Sequence, residues 1–174
     1  MFGIVLASSP ASPTGHRALP TDLSHWTPAI HDRFIADTKQ NIGYIVHENG
    51  DYTMFRIGSG KRQEVNYGGH TYNAATPETI WHVESTTYQT DKITFGKSGF
   101  FLRLYDNDAF TPYGIHATAN IDDLLTWDDR YRSMGCILVS NEVLDVLAHT
   151  YVLNGNDLEV ATIYGIEKAT MVLY

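Results

Sequence analysis

Cysteine is almost absent from this sequence: Cys136 stands alone among 174 residues. A single thiol excludes an intramolecular disulfide and any zinc site built from several cysteines, so Cys136 is either an inert packing residue or a reactive one. Positive charge is scarce as well. Twelve Lys and Arg face twenty Asp and Glu, a formal net charge of −8, and no basic run occurs. Phosphate neutralisation needs clustered Lys and Arg, so this balance argues against a nucleic-acid partner, although single basic residues can still hold a small anion. Long hydrophobic runs are missing too. No stretch approaches the roughly 18 consecutive apolar residues of a membrane span. The apolar start, residues 1–7, has no positive flank and is shorter than a secretory core of roughly 7 to 15 residues, so no clear signal peptide is expected.

What is present points to one domain. A hydrophobic content of 43% over 174 residues is enough to close a single core. The Ser-, Pro- and Thr-rich stretch 8–28 reads as loosely attached chain, which sets expected boundaries of 1–28 for a leader or linker and 29–174 for the domain. Thr27-Pro28 looks like an N-cap followed by proline at the first helical position, and Ile30, Phe34, Ile35 and Thr38 share a helical face, so a short N-terminal helix is predicted there. Residues 42–48 and 52–57 alternate around Asn49-Gly50, a dipeptide that supplies the positive φ angles of a tight hairpin. Gly58-Ser59-Gly60-Lys61 lacks the spacing of a phosphate-cradling loop and is read as a connection.

Short aromatic and β-branched runs predict further strands over 80–84, 92–95, 100–105 and 113–117. An acidic segment, 120–132, is read as a short helix starting at Asn120. Ser140 or Asn141 caps a clearer helix whose apolar stripe is Val143, Leu144, Leu147 and Tyr151. A last strand is expected over 157–164. The chain is therefore expected to be mainly β with few helices.

The residues that carry chemistry are Cys136 in Ser133-Met134-Gly135-Cys136 and His116 in Tyr113-Gly114-Ile115-His116-Ala117-Thr118. A thiol and an imidazole are the minimum for cysteine nucleophilic catalysis, because a free thiol with a pKa of about 8.5 is mostly protonated near neutrality and needs a base. The order and short gap differ from a papain-like protease, whose cysteine precedes its histidine by far. The remaining histidines form no His-Glu-x-x-His pattern, and no metal or other cofactor is expected.

This arrangement resembles the L,D-transpeptidase catalytic domain, also called YkuD-like, whose signature is a histidine, a gap, then Ser/Thr-His-Gly-Cys. His116 and Ser133-Met134-Gly135-Cys136 lie at a spacing that the family allows, and the early hairpin ending in Ile57-Gly58-Ser59-Gly60-Lys61, the Thr76-Pro77 segment and the helix after the cysteine are similar to its other landmarks. The resemblance covers about residues 42–164. It departs at Met134, where the family has a second histidine, and at Leu138, where it has a polar residue.

The resemblance implies a YkuD-like β-sandwich or mixed sheet with a helix after the cysteine. It also implies cysteine-dependent acyl transfer on peptidoglycan stem peptides, giving cross-links or D-amino-acid exchange through a thioester on Cys136. In that scheme His116 is the base, the Ala117 carbonyl holds its other ring nitrogen, and the amides of Gly135 and Cys136 receive the oxyanion. Ser133, Arg132 and Tyr113 are candidate substrate-binding residues; Arg132 is alternatively a surface charge paired with Asp128 or Asp129, and Tyr113, like Tyr105, a core or rim residue. The alternatives for the whole chain are an L,D-carboxypeptidase that resolves the thioester with water, or a catalytically silent wall-binding member. An extracytoplasmic location, in periplasm or cell wall, and a monomer are expected.

Overall fold

A computed structural model describes residues 23–165. In chain order its elements are β1 (Arg33–Asp37), β2 (Ile42–Val46), β3 (Tyr52–Arg56), β4 (Ser59–Gly60), β5 (Glu64–Tyr67), β6 (His70–Asn73), β7 (Ile80–Tyr88), β8 (Phe100–Asp106) and β9 (Ala109–His116), followed by α1 (Ile121–Leu124), β10 (Tyr131–Ser133), β11 (Ile137–Leu138), α2 (Asn141–Leu153) and β12 (Leu158–Ile163). Eight strands form one mixed sheet in the order β11-β9-β8-β7-β12-β1-β2-β3, flanked by the two-stranded pairs β10-β4 and β5-β6. The chain is thus mainly β, with α2 the one long helix among the described residues.

The predicted N-terminal helix is instead β1, which pairs parallel to β12 and antiparallel to β2. Phe34 and Ala36 enter the main core while Ile35 joins a second cluster with Val46, Ala161 and Ile163 on the other face. A strand buried on both faces loses its period of two, and its apolar run then imitates a helical stripe.

The β2–β3 hairpin forms where it was predicted, with register Ile42↔Arg56 to Val46↔Tyr52. Its turn is wider than a two-residue loop: His47 N–H donates to Asp51 O at 2.8 Å, Gly50 N–H donates to His47 O at 2.9 Å, and Gly50 alone takes the positive φ, +91°. Residues 92–95 do not form the predicted strand but a turn. Asp91 folds it, since its Oδ1 accepts the amides of Ile93 and Thr94 and its carbonyl accepts that of Phe95. Local side-chain bonds of this kind compete with strand pairing. Helix α1 is a single turn, much less than the acidic segment 120–132, and Asn120 at its start makes no side-chain cap. Ser140 caps α2 by accepting Val143 N–H at 3.2 Å, and the helix buries Val143, Leu144, Leu147 and Tyr151 against the sheet.

Leu23 and Trp26 lie inside the segment read as a leader or linker, yet Leu23 is buried in the main core and Trp26 packs against it. Leu23 N–H also donates to Glu142 on α2 at 3.0 Å. Among the described residues no helix is long and apolar enough to cross a membrane.

Candidate active site

Two short parallel pairings assemble the site. β11 lies beside β9 with Ile137 opposite Ile115 and Leu138 opposite His116, and β10 lies beside β4 with Ser133 opposite Gly60. Cys136 directly precedes β11, so its segment docks against the end of the strand that carries Gly114 and His116.

The loop Ser133 to Cys136 is fixed from within. Ser133 Oγ donates to Cys136 O at 2.6 Å and accepts Gly135 N–H at 3.1 Å. Gly135 adopts φ +118°, and a Cβ there would sit 2.4 Å from the Tyr113 ring. Only glycine meets both demands, since a side chain would be strained by the backbone and blocked by the ring. Tyr113 is itself held edge-on by Trp81, ring centroids 5.8 Å apart.

His116 is buried at the end of β9, with its ring beside Phe95 at 4.8 Å and Phe101 at 5.5 Å. Its Nδ1 donates to the Ala117 carbonyl at 2.8 Å. A carbonyl oxygen only accepts, so this bond places the proton of the neutral ring on Nδ1 and leaves Nε2 as the basic nitrogen. Burial lowers the imidazole pKa, an effect opposed by the Ala117 and Thr94 carbonyls. The half-buried Cys136 thiol is pushed up to about 11 by desolvation, against the pull of the Gly114 amide and the Arg103 guanidinium. The resting pair is therefore neutral thiol and neutral imidazole.

The other candidates are placed as follows. Arg132 is exposed, pairs with Asp129 at 3.2 Å and lies over Trp127 at 5.0 Å, which is the surface-charge alternative. The Gly135 amide assigned to the oxyanion is spent on Ser133 Oγ, and the Ser133 hydroxyl assigned to substrate is spent within its own loop. Tyr105 bonds Ser85 at 3.0 Å. Two residues absent from the sequence reading belong to the site's surroundings. Tyr72 on β6 donates to Met134 O at 3.2 Å, and Arg103 on β8 faces Gly114 across the strand pair. The signal for the first was Gly68-Gly69 between two short alternating runs, a two-residue hairpin pattern. An arginine within an apolar strand was the signal for the second.

A cleft of about 550 Å³ is lined by residues at the start of β1, on β7 and in the segment after α2, among them Asp32, His82 and Asp157, and includes neither Cys136 nor His116. Among the described residues no group of three or more His, Cys, Asp or Glu is arranged to hold a metal.

Comparison with protein families gives a match to the YkuD L,D-transpeptidase catalytic domain over residues 31–160. No curated protein matches the chain. Among solved structures the chain is similar to an L,D-transpeptidase of Xylanimonas cellulosilytica at 20% identity and a TM-score of 0.57, covering 85% of this chain and 65% of that one. It is similar also to Bd1075 of Bdellovibrio bacteriovorus at 17% identity and TM-score 0.53, covering 78% of this chain and 48% of that one. A mutant L,D-transpeptidase of Enterococcus faecium matches at 17% identity and TM-score 0.50, with 77% and 50% covered. The chain thus spans about half to two thirds of the length of these structures, and the likeness is one of fold.

Proposed function

The chain belongs to the YkuD L,D-transpeptidase catalytic-domain family, and from that premise we propose that it performs cysteine-dependent acyl transfer on peptidoglycan stem peptides. The observation that supports this reading is the β9–β11 pairing: its register puts Leu138 opposite His116 and brings Cys136, one residue before β11, to the level of Gly114 on the strand whose histidine is oriented by Ala117. In this proposal the catalytic domain takes in Leu23 and Trp26 as well as the chain from residue 29 onward, and works as a monomer outside the cytoplasm.

Because thiol and imidazole rest neutral, the proton leaves sulfur as the sulfur–carbon bond forms. Cys136 Sγ attacks the carbonyl preceding the terminal D-residue while its proton passes to His116 Nε2. The Ala117 carbonyl steadies the imidazolium through Nδ1. The Cys136 amide receives the oxyanion, and Gly135 joins it only if its bond to Ser133 opens. The imidazolium then returns the proton to the departing amine, leaving a thioester. An amine from a second stem closes a cross-link or exchanges the D-amino acid, and water gives an L,D-carboxypeptidase.

Intact-mass analysis after incubation with a carbapenem and, separately, with a stem tetrapeptide tests the reading. An adduct that disappears in Cys136→Ala, together with a change in peptide mass, supports it, and the product mass separates cross-linking from hydrolysis. The occupied Gly135 amide and the raised thiol pKa favour a second reading, a silent wall-binding member. Peptide binding with no mass change in peptide or protein would select it.

A further inference from the structure

The face of β8–β9 that carries His116 also carries a continuous stack of flat groups. Phe101 lies opposite His116 and Arg103 opposite Gly114, so all four positions share one side of the sheet. His116 lies 5.5 Å from the Phe101 ring, and the Arg103 guanidinium lies 4.5 Å from that same ring and 4.7 Å from the ring of Phe110. Gly114 makes the row possible, because a Cβ there would meet the Phe101 ring at 2.2 Å. The register is irregular between Arg103 and Tyr105, and Arg103 Nη1 donates to Thr111 O, in the irregular stretch of β9, at 3.0 Å.

The guanidinium is thus held in orientation by two rings and one carbonyl, which leaves most of its five N–H donors uncommitted. Among the described residues it has no carboxylate partner. Arg33 pairs with Glu159, Arg132 with Asp129, and Arg130 and Arg56 donate to backbone carbonyls. Arg62 is held much as Arg103 is, over Tyr131 and Tyr164 with a bond to Thr38 O, but it follows β4 and is not on the β8–β9 face. In a chain with a net charge of −8, an oriented, unpaired cation on the face of the nucleophile stands out as a prepared anion site.

We propose that Arg103 is the carboxylate-binding residue beside Cys136, and that the group it receives is the free C-terminal carboxylate of the substrate peptide. This rests on the acyl-transfer reading above. When the leaving group is a terminal amino acid, its carboxylate carbon lies only about 3 to 4 Å from the attacked carbonyl carbon. The anchor must therefore sit next to the thiol, and the Arg103 charge is felt at Cys136. The planar fork suits a bidentate carboxylate, whereas Arg132 already holds Asp129. A carboxylate docked there fixes the scissile carbonyl over Sγ and selects peptides with a free end over internal peptide bonds.

The test compares a stem tetrapeptide carrying a free C-terminal carboxylate with the same peptide as its C-terminal amide. Binding is measured by calorimetry on the Cys136→Ala chain, where no turnover intervenes. The acid is expected to bind about ten- to a hundredfold more tightly than the amide, and Arg103→Met in the same background is expected to bring the ratio near one. If Arg103→Met does not fold, as judged by circular dichroism, Arg103→Gln takes its place with the same expectation. A full acid preference without Arg103, or no preference with it, overturns the inference. Turnover of the tetrapeptide by the native chain is read separately. Turnover with an acid preference indifferent to Arg103 defeats the anchor alone, and an Arg103-dependent preference without any turnover defeats the acyl-transfer reading while the anchor stands.

Discussion

At the scale of single residues, the site's chemistry is set by two groups that burial holds neutral. The thiol of Cys136 stays protonated until about pH 11 in the folded chain. Alkylation by iodoacetamide should accelerate up to that region, rather than reaching the plateau near neutrality that a thiolate–imidazolium pair would give. The same shift links to stability. A thiol in the unfolded chain ionises at about pH 8.5 to 9, so this contribution is whole below that range and lost as pH rises through 11. Urea denaturation from pH 8 to 11.5 should show a steeper decline for the native chain than for Cys136→Ala, and equal slopes would refute the raised thiol. Gly135→Ala should cost about 2 to 4 kcal/mol, since it combines a forbidden φ with a collision at Tyr113. A loss below about 0.5 kcal/mol would mean the loop relaxes freely. As candidates, Ser133, Gly135, Cys136 and His116 could be picked out in the sequence because each occupies a motif position. Arg103 was not, because its relation to Gly114 exists only across a strand register, and nothing in a linear motif records which side of a sheet a residue faces.

At the scale of elements, what the sequence revealed depended on whether a segment carries its own signal. The β2–β3 hairpin announces itself through Asn49-Gly50, and α2 through a capping serine and an apolar stripe. β1 has no such independence: it is strand only because β12 and β2 lie on either side of it. The turn 92–95 failed the other way, its strand-like composition overruled by the carboxylate of Asp91. The overlooked β5–β6 hairpin bears on function, because its Tyr72 hydroxyl holds the carbonyl of Met134, one residue from Gly135. Tyr72→Phe removes that bond and keeps the ring. Stability should fall by about 1 kcal/mol or less, while carbapenem acylation of Cys136 slows about fivefold if the hairpin steadies the loop. Unchanged acylation kinetics, followed by intact mass over time, would show that the hairpin is only an appendage.

At the scale of the whole molecule, the site depends on a core reached from both ends of the described chain. α2 packs against both β9, which bears His116, and β12, and its Glu142 accepts the Leu23 amide of the N-terminal segment. Leu23, only 2% exposed, is as deeply buried as Phe55 and Trp81. Composition concealed this, since the Ser, Pro and Thr around Leu23 read as loosely attached chain. Leu23→Ala removes a fully buried side chain and leaves a void beside α2, so it should cost about 2 to 4 kcal/mol in chemical denaturation. Glu142→Gln keeps an acceptor for the Leu23 amide and removes only its charge, so it should cost about 1 kcal/mol. Both variants lie away from the Cys136 loop, and acylation measured well below their melting temperatures should match the native rate. A Leu23→Ala protein as stable as the native one would place the start of the folded domain after residue 23, whereas the expected loss makes Leu23 and Trp26 part of the scaffold that carries Cys136.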